Sequence, residues 1–133
     1  MSSKNYQEEL FEHFKYPCNK KCVNNPDFQA GHDNPSCGDK VSIEGKISRE
    51  SNISDSKIID IGFNGSGCVI SQAATSMLTE FCKGKTIDEV LALTKDDILN
   101  LVKIELGPNR LKCALLCLQV LQEAVGKFKI AKK

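Results

Sequence analysis

Apolar and polar positions along the chain follow two periods in turn. In residues 3–15, Tyr6, Leu10, Phe11 and Phe14 stand at i, i+4, i+5 and i+8, the spacing of one helix face. Pro17 ends that helix. Residues 17–36 are rich in Asn, Pro, Asp and Gly and read as a long loop, of a length that in a compact unit carries function or mobility. A third strand has room there, but no pattern fixes its place. Val41, Ile43 and Ile47 alternate with Ser42, Glu44 and Lys46, a half-buried strand with Gly45 as a candidate bulge. After a polar connection over 48–56, Ile59, Ile61 and Phe63 alternate again and stop at Asn64-Gly65. The two strands are expected to pair antiparallel.

From residue 68 the period changes to 3.6. Ile70, Ala73, Ala74, Met77, Leu78 and Phe81 mark a helix that Gly84 ends. Thr86 and Glu89 form a capping-box pattern ahead of a short helix over 87–93, and a second short helix covers 95–103. Gly107-Pro108-Asn109 is a turn. Leu111, Ala114, Leu115, Leu118 and Val125 then mark a last helix to about Gly126. The expected fold is α+β, a small antiparallel sheet of about three strands covered by helices. It forms a single domain over 1–133, with 1–3 and 127–133 as solvated tails.

Composition refines this picture. A length of 133 residues with 41% hydrophobic positions supports one core, and 6% aromatics with no Trp makes that core aliphatic. A net charge of +1 gives no electrostatic ground for a nucleic-acid or membrane-surface partner. No apolar run approaches the roughly 20 residues of a membrane helix, and the N-terminus has no signal-peptide pattern. A cytoplasmic setting follows as the expectation, and there the seven cysteines stay reduced. The odd count also speaks against a disulfide framework.

Three of those cysteines carry the candidate chemistry. Cys37 and Asp39 lie two apart at a strand entrance, so both side chains fall on one face, and Gly38 between them lets the backbone approach a ligand. Cys68 follows Gly65 and Gly67 at the start of a helix, where free amide N–H groups and the helix dipole favour a thiolate. Cys113 stands near the start of the last helix, with Arg110 and Lys112 beside it as positive neighbours. Three thiolates and a carboxylate make a four-ligand set for zinc or an iron–sulfur cluster. Two readings compete with metal or sulfur transfer. One is a structural zinc domain; the other is a thiol enzyme, disfavoured by the absence of Cys-x-x-Cys and of a His partner.

The motifs extend beyond single residues. Asn34-Pro35-x-Cys37-Gly38-Asp39, Gly65-x-Gly67-Cys68-x-Ile70-Ser71-x-Ala73-x-x-Ser76-Met77, Lys83-Gly84-Lys85-Thr86 and Arg110-x-Lys112-Cys113-Ala114-x-Leu116 occur in that order. The chain thereby resembles the U-type iron–sulfur cluster assembly family of IscU, SufU and the NifU N-terminal domain, from about residue 6 to 126. The resemblance implies a scaffold or carrier, sulfurtransferase-like at most. It would accept persulfide sulfur from a cysteine desulfurase and pass a transient [2Fe–2S] cluster to recipient apo-proteins, as a monomer or weak dimer. The alternative it implies is a zinc-bound, SufU-type sulfur carrier. Cys37, Cys68 and Cys113 would be thiolate ligands, Cys113 the persulfide acceptor, Asp39 the carboxylate that ligates zinc or makes a cluster labile, and Arg110 and Lys112 modulators.

Two departures separate the chain from each branch. Lys112 stands where IscU proteins carry His, and the stretch between Cys68 and Cys113 is short for the insertion that SufU proteins carry. Of the remaining candidates, Cys18 and Cys22 are read as thiols without a role or as an accessory metal or redox pair. Cys82 is read as packing, and Cys117 as packing or a sulfur relay on the face of Cys113. His13 is read as solvated, and His32 as a residue able to approach the site.

Overall fold

The structure, a computed structural model, describes residues 5–34, 38–48, 50 and 52–131. Helix α1 (Tyr6–Lys15) starts at Asn5, whose side chain accepts the Glu8 N–H at 2.8 Å. Strands β1 (Phe28–Asn34), β2 (Asp39–Ile47) and β3 (Ile58–Ser66) form one antiparallel sheet in the order β1-β2-β3. Helix α2 (Val69–Cys82) follows, then the short α3 (Ile87–Leu91) and α4 (Lys95–Val102), and finally the long α5 (Pro108–Ala131). Helix α5 packs on β1 and β2, α2 packs on β3 and α5, and α1 packs on α2. Phe28, Val41, Ile43, Ile47, Ile58, Ile61 and Phe63 are the buried hydrophobic side chains of the sheet, in one core with the helices. No described helix is long and apolar enough to cross a membrane.

The third strand lies inside the expected loop. β1 hides only Phe28 fully and otherwise exposes or half-exposes Gln29, Gly31, His32 and Asp33, so hydrophobic alternation cannot reveal it. Its order comes from pairing with β2, from Phe28 opposite Gly45 to Asn34 opposite Asp39. The preceding loop closes the other edge of the sheet, where Phe63 N–H donates to the Asn19 carbonyl at 2.9 Å.

The phase of β3 differs from expectation. Lys46 pairs with Asp60 but Ile47 pairs with Ile58, so Ile59 has no partner of its own. This irregularity lies just past Gly45, and it turns Ile59 outward at 55% exposure while Ile58 is fully buried. Phe81, expected in the core, is 39% exposed and lies under the Lys85 ammonium, 4.4 Å from its ring centroid. On α1 only Leu10 is buried; Tyr6, Phe11 and Phe14 are exposed. The last helix does not fray after Gly126. It continues to Ala131 because Phe128 is buried and Lys129 pairs with Asp88 at 2.8 Å. The expected tail residues 1–3, 132 and 133 lie outside the described residues.

Candidate metal centre

The centre forms where β2 begins and where α2 and α5 start. Gly38 takes φ +71° and donates its N–H to the Asn34 carbonyl at 2.9 Å, closing the β1–β2 connection. Its positive φ is a backbone conformation that glycine adopts without strain, and no protein atom lies within 4 Å of where a Cβ would stand. Asp39 follows as the first residue of β2 and is fully buried. A buried carboxylate needs donors. Oδ1 accepts the Cys68 N–H at 2.8 Å, and Oδ2 faces the Cys68 thiol at 3.6 Å.

Cys68 is the N-cap of α2, one position before the expected first turn, and its sulfur accepts the Ser71 N–H at 3.4 Å. A thiolate at that place meets unpaired amide N–H groups and the positive end of the helix. Gly67 makes the approach of Asp39 and Cys68 possible. It has φ +134°, and a Cβ there would fall 2.3 Å from Asp39 Oδ1. Cys113 arrives from α5. That helix starts at Pro108, so Cys113 lies in its second turn, beyond the strongest part of the dipole, and is buried.

One ligand atom from each of Asp39, Cys68 and Cys113 lies within 4.8 Å of the others. Cys37 lies outside the described residues, so the structure brings together three of the four expected ligands. Two sulfurs and a carboxylate oxygen match the donor chemistry of both zinc and iron–sulfur sites. A cavity of about 710 Å³ opens beside the two sulfurs, walled by Leu10 and Phe11 of α1, Ile70, Ile104 and Arg110. Arg110 therefore faces the centre's entrance. Lys112 is exposed in a separate groove with Asp33 and Asn34, so the two expected modulators do not share one surface.

The remaining candidates sort by burial. His32 bonds Glu123 of α5 through Nε2, so the expected approach to the site is replaced by a strand–helix pair. Cys82 and Cys117 are both buried, which pushes each thiol up to about 12 from 9.0. Cys117 also donates to the Ala114 carbonyl at 3.2 Å, inside the core. Packing explains both, and burial removes the surface access a relay by Cys117 would need. His13 is not simply solvated. Its Nδ1 is 2.7 Å from Ser76 Oγ, and it stands in a second group with Cys18 and Glu80. Burial raises the Cys18 thiol, as does the Glu80 charge beside it. Sequence reasoning did not find that group, because its members come from three separate segments with no local pattern.

A three-stranded antiparallel sheet with helices packed on it, and a largely buried thiol–carboxylate cluster at its end, makes an α+β fold whose clustered donors are of metal-ligating type. The chain belongs to the family described as NifU-like N terminal domain, whose profile it matches over residues 5–133. It is 33% identical to the zinc-dependent sulfurtransferase SufU of Bacillus subtilis, covering 92% of this chain and 90% of that protein. It is 30% identical to the iron–sulfur cluster assembly scaffold protein IscU of Escherichia coli, covering 93% and 94%. Among solved structures, the chain resembles a protein proposed as an iron–sulfur cluster assembly scaffold for the SUF system in Fervidobacterium islandicum, with TM-score 0.72, 28% identity and coverage of 89% and 94%. The N-terminal part of a NifU-like protein from Brucella abortus shares the fold, with TM-score 0.72 over 94% of each chain at 16% identity.

Proposed function

We propose that this protein is an iron–sulfur cluster assembly scaffold that takes sulfur from a cysteine desulfurase and holds a [2Fe–2S] cluster as cargo for recipient apo-proteins. The observation that carries the reading is the convergence of Asp39, Cys68 and Cys113 within 4.8 Å, with a cavity opening beside the two cysteines. Family membership supports it. Cys37 is the expected fourth ligand, on the segment that leads into Asp39.

The steps follow from the side chains. The Cys113 thiolate attacks the outer sulfur of the desulfurase persulfide. A new S–S bond forms on Cys113, the old one breaks, and the desulfurase cysteine leaves as a thiolate. The cavity gives that sulfur its approach, and Arg110 at its wall offers positive charge to the incoming anion. Cys68 at the N-cap of α2 would be the second sulfur ligand, oriented by the Ser71 N–H that its sulfur accepts. Asp39 has Oδ1 occupied by the Cys68 N–H, which leaves Oδ2 as a single oxygen ligand. An oxygen donor is harder than a thiolate and holds iron less firmly, so it makes the cluster releasable. Lys112, outside the cavity, would act on docking or on approach by way of β1.

The zinc sulfur carrier is the second reading, because the same donors suit zinc. One observation weighs against it. The alignment with SufU runs over 140 positions but covers 92% of the 133 residues here, about 122, so about 18 positions belong to SufU alone. The alignment with the Escherichia coli scaffold runs over 127 positions for 93% of the chain, about 124, with almost no such excess.

The test is sulfur transfer followed by mass. The chain is incubated anaerobically with a cysteine desulfurase and L-cysteine, and its peptides are analysed without reduction. A gain of one sulfur on the Cys113 peptide is expected. The same gain on another cysteine would remove Cys113 from its role, and no gain on any cysteine would overturn the proposal.

A further inference from the structure

A second cluster of metal-ligating side chains lies away from the centre just described, on the face where α1 and the following loop meet α2. We propose that His13, Cys18 and Glu80 form a second metal site, for a divalent ion of the zinc class, that clips α1 and the loop onto α2. It does not rest on the scaffold reading.

The ligand atoms of the three residues lie within 4.8 Å of one another. His13 Nε2 is 3.9 Å from Glu80 Oε1, and Cys18 Sγ is 3.6 Å from Glu80 Oε2. Two ligand atoms across a tetrahedral zinc with bonds of about 2.0–2.3 Å stand roughly 3.5 Å apart. Small side-chain rotations therefore bring all three donors to one ion. Nitrogen, sulfur and oxygen from His, Cys and Glu is a set that zinc accepts, with solvent as the fourth ligand. Glu12 and Tyr16 complete the walls of the open cavity of about 390 Å³ at the site, which supplies the entry path.

The site is built, not a chance meeting of surface chains. His13 Nδ1 and the Cys18 N–H both meet Ser76 Oγ, each at 2.7 Å. Metal binding selects the form in which His13 Nδ1–H donates to Ser76 Oγ and Nε2 presents its lone pair to the ion, the usual outer hydrogen bond of a ligating His. Thr79 Oγ1–H donates to the Ser76 carbonyl at 2.9 Å with the Cys18 carbonyl at 3.5 Å, and Asn19 Nδ2 donates to Thr79 Oγ1 at 3.2 Å. Cys18 is thus held on α2 through its own N–H and the Asn19 side chain that follows it. Ser76, Thr79 and Glu80 stand on one face of α2, so a single helix face holds the histidine, the cysteine backbone and the third ligand. Without metal the three donors meet only through the Cys18–Glu80 contact at 3.6 Å and the His13–Glu80 contact at 3.9 Å. With it, three segments of the chain are tied at one point.

The experiment uses metal-stripped full-length protein titrated anaerobically with cobalt(II) chloride as spectroscopic probe, then with zinc chloride while following thermal unfolding. The wild type is expected to bind one more cobalt than Cys18→Ser or His13→Gln, with thiolate-to-cobalt absorbance beyond that of the first centre, and Asp39→Asn should keep this additional absorbance. Zinc should raise the unfolding temperature of wild type more than that of Cys18→Ser. Glu80→Gln changes an exposed side chain and leaves the fold intact, so it decides the matter even where another variant unfolds. It should weaken the second site roughly tenfold or more. Equal cobalt stoichiometry and spectra in wild type and Cys18→Ser, or unchanged affinity in Glu80→Gln, would overturn the proposal. Loss of signal in Asp39→Asn alone would assign all binding to the first centre.

Discussion

The two clusters solve the same problem, gathering three ligands, from opposite starting points. Asp39, Cys68 and Cys113 meet where a strand and two helices begin. The carboxylate is fully buried and satisfied by a backbone N–H, and a glycine that tolerates φ +134° leaves room for it. His13, Cys18 and Glu80 meet on the outside of a helix, with Glu80 64% exposed and His13 and Cys18 half-buried beside an open cavity. The first arrangement is fixed by the fold before any ligand arrives. The second is fixed only at its backbone, by Ser76 and Thr79. A centre meant to hold and release cargo gains from buried, preset donors of unequal strength. A clip gains from donors that close only when the ion is present.

The largest expected effect separates the two regions by function. Cys113→Ser should abolish sulfur acceptance from a desulfurase, whereas Cys18→Ser should leave it at wild-type level, both read by intact mass. Loss in Cys18→Ser would join the two clusters into one pathway. Next comes Gly67→Ala. Its Cβ would press on Asp39 in a backbone conformation that costs roughly 1–3 kcal/mol for a non-glycine residue. Urea unfolding should show a loss of at least that size together with loss of metal binding at the first centre, while the second site persists.

Asp39→Ala sharpens the role of the carboxylate. It should retain metal or cluster binding through the thiolates but slow release to an apo-acceptor, at a stability loss of about 1–3 kcal/mol from the unpaired Cys68 N–H. An unchanged release rate would remove the lability role. The cysteines themselves offer a graded test. Exposed Cys22 should react first with iodoacetamide and Cys82 and Cys117 last, because burial keeps both protonated up to about 12. For these thiols the folded value is raised above 9.0, so their stabilising effect is complete below pH 9. It is lost as pH rises toward 12, by at most about 1.4 kcal/mol per thiol per pH unit. Denaturant midpoints measured from pH 8 to 11 should fall in that window, and Cys117→Ala should flatten the fall. The smallest effect concerns the bulge. Ile58→Ala should cost about 2–5 kcal/mol, while exposed Ile59→Ala should stay near ±0.5 kcal/mol.

That last pair shows where sequence patterning stops. Alternation located β2 and β3, but a single irregular pairing at Lys46/Ile47 reversed which isoleucine faces the core. β1 stayed hidden because one buried phenylalanine is too little pattern, and its order comes from a partner strand. Gly126 looked like a helix end, yet Phe128 finds a core place one half-turn later and carries α5 on. The first centre was legible because Gly38, Gly67 and Pro108 mark the joints where its residues stand. The side chains of Arg110 and Lys112 diverge, which neighbouring positions on a helix dictate but charge counting overlooks. The second cluster left no mark in the sequence, since Glu80 is 62 residues from Cys18 and meets it only through α1–α2 packing.

The most direct test of the scaffold account is anaerobic reconstitution of the full chain with a cysteine desulfurase, L-cysteine, ferrous iron and a thiol reductant, followed by visible absorbance and elemental analysis. The account predicts sulfide-dependent charge-transfer bands with iron and sulfide bound in equal amounts, lost in Cys68→Ser and kept in Cys18→Ser. Bound zinc without a chromophore, together with a persulfide on Cys113, would contradict it and make the protein a sulfur carrier.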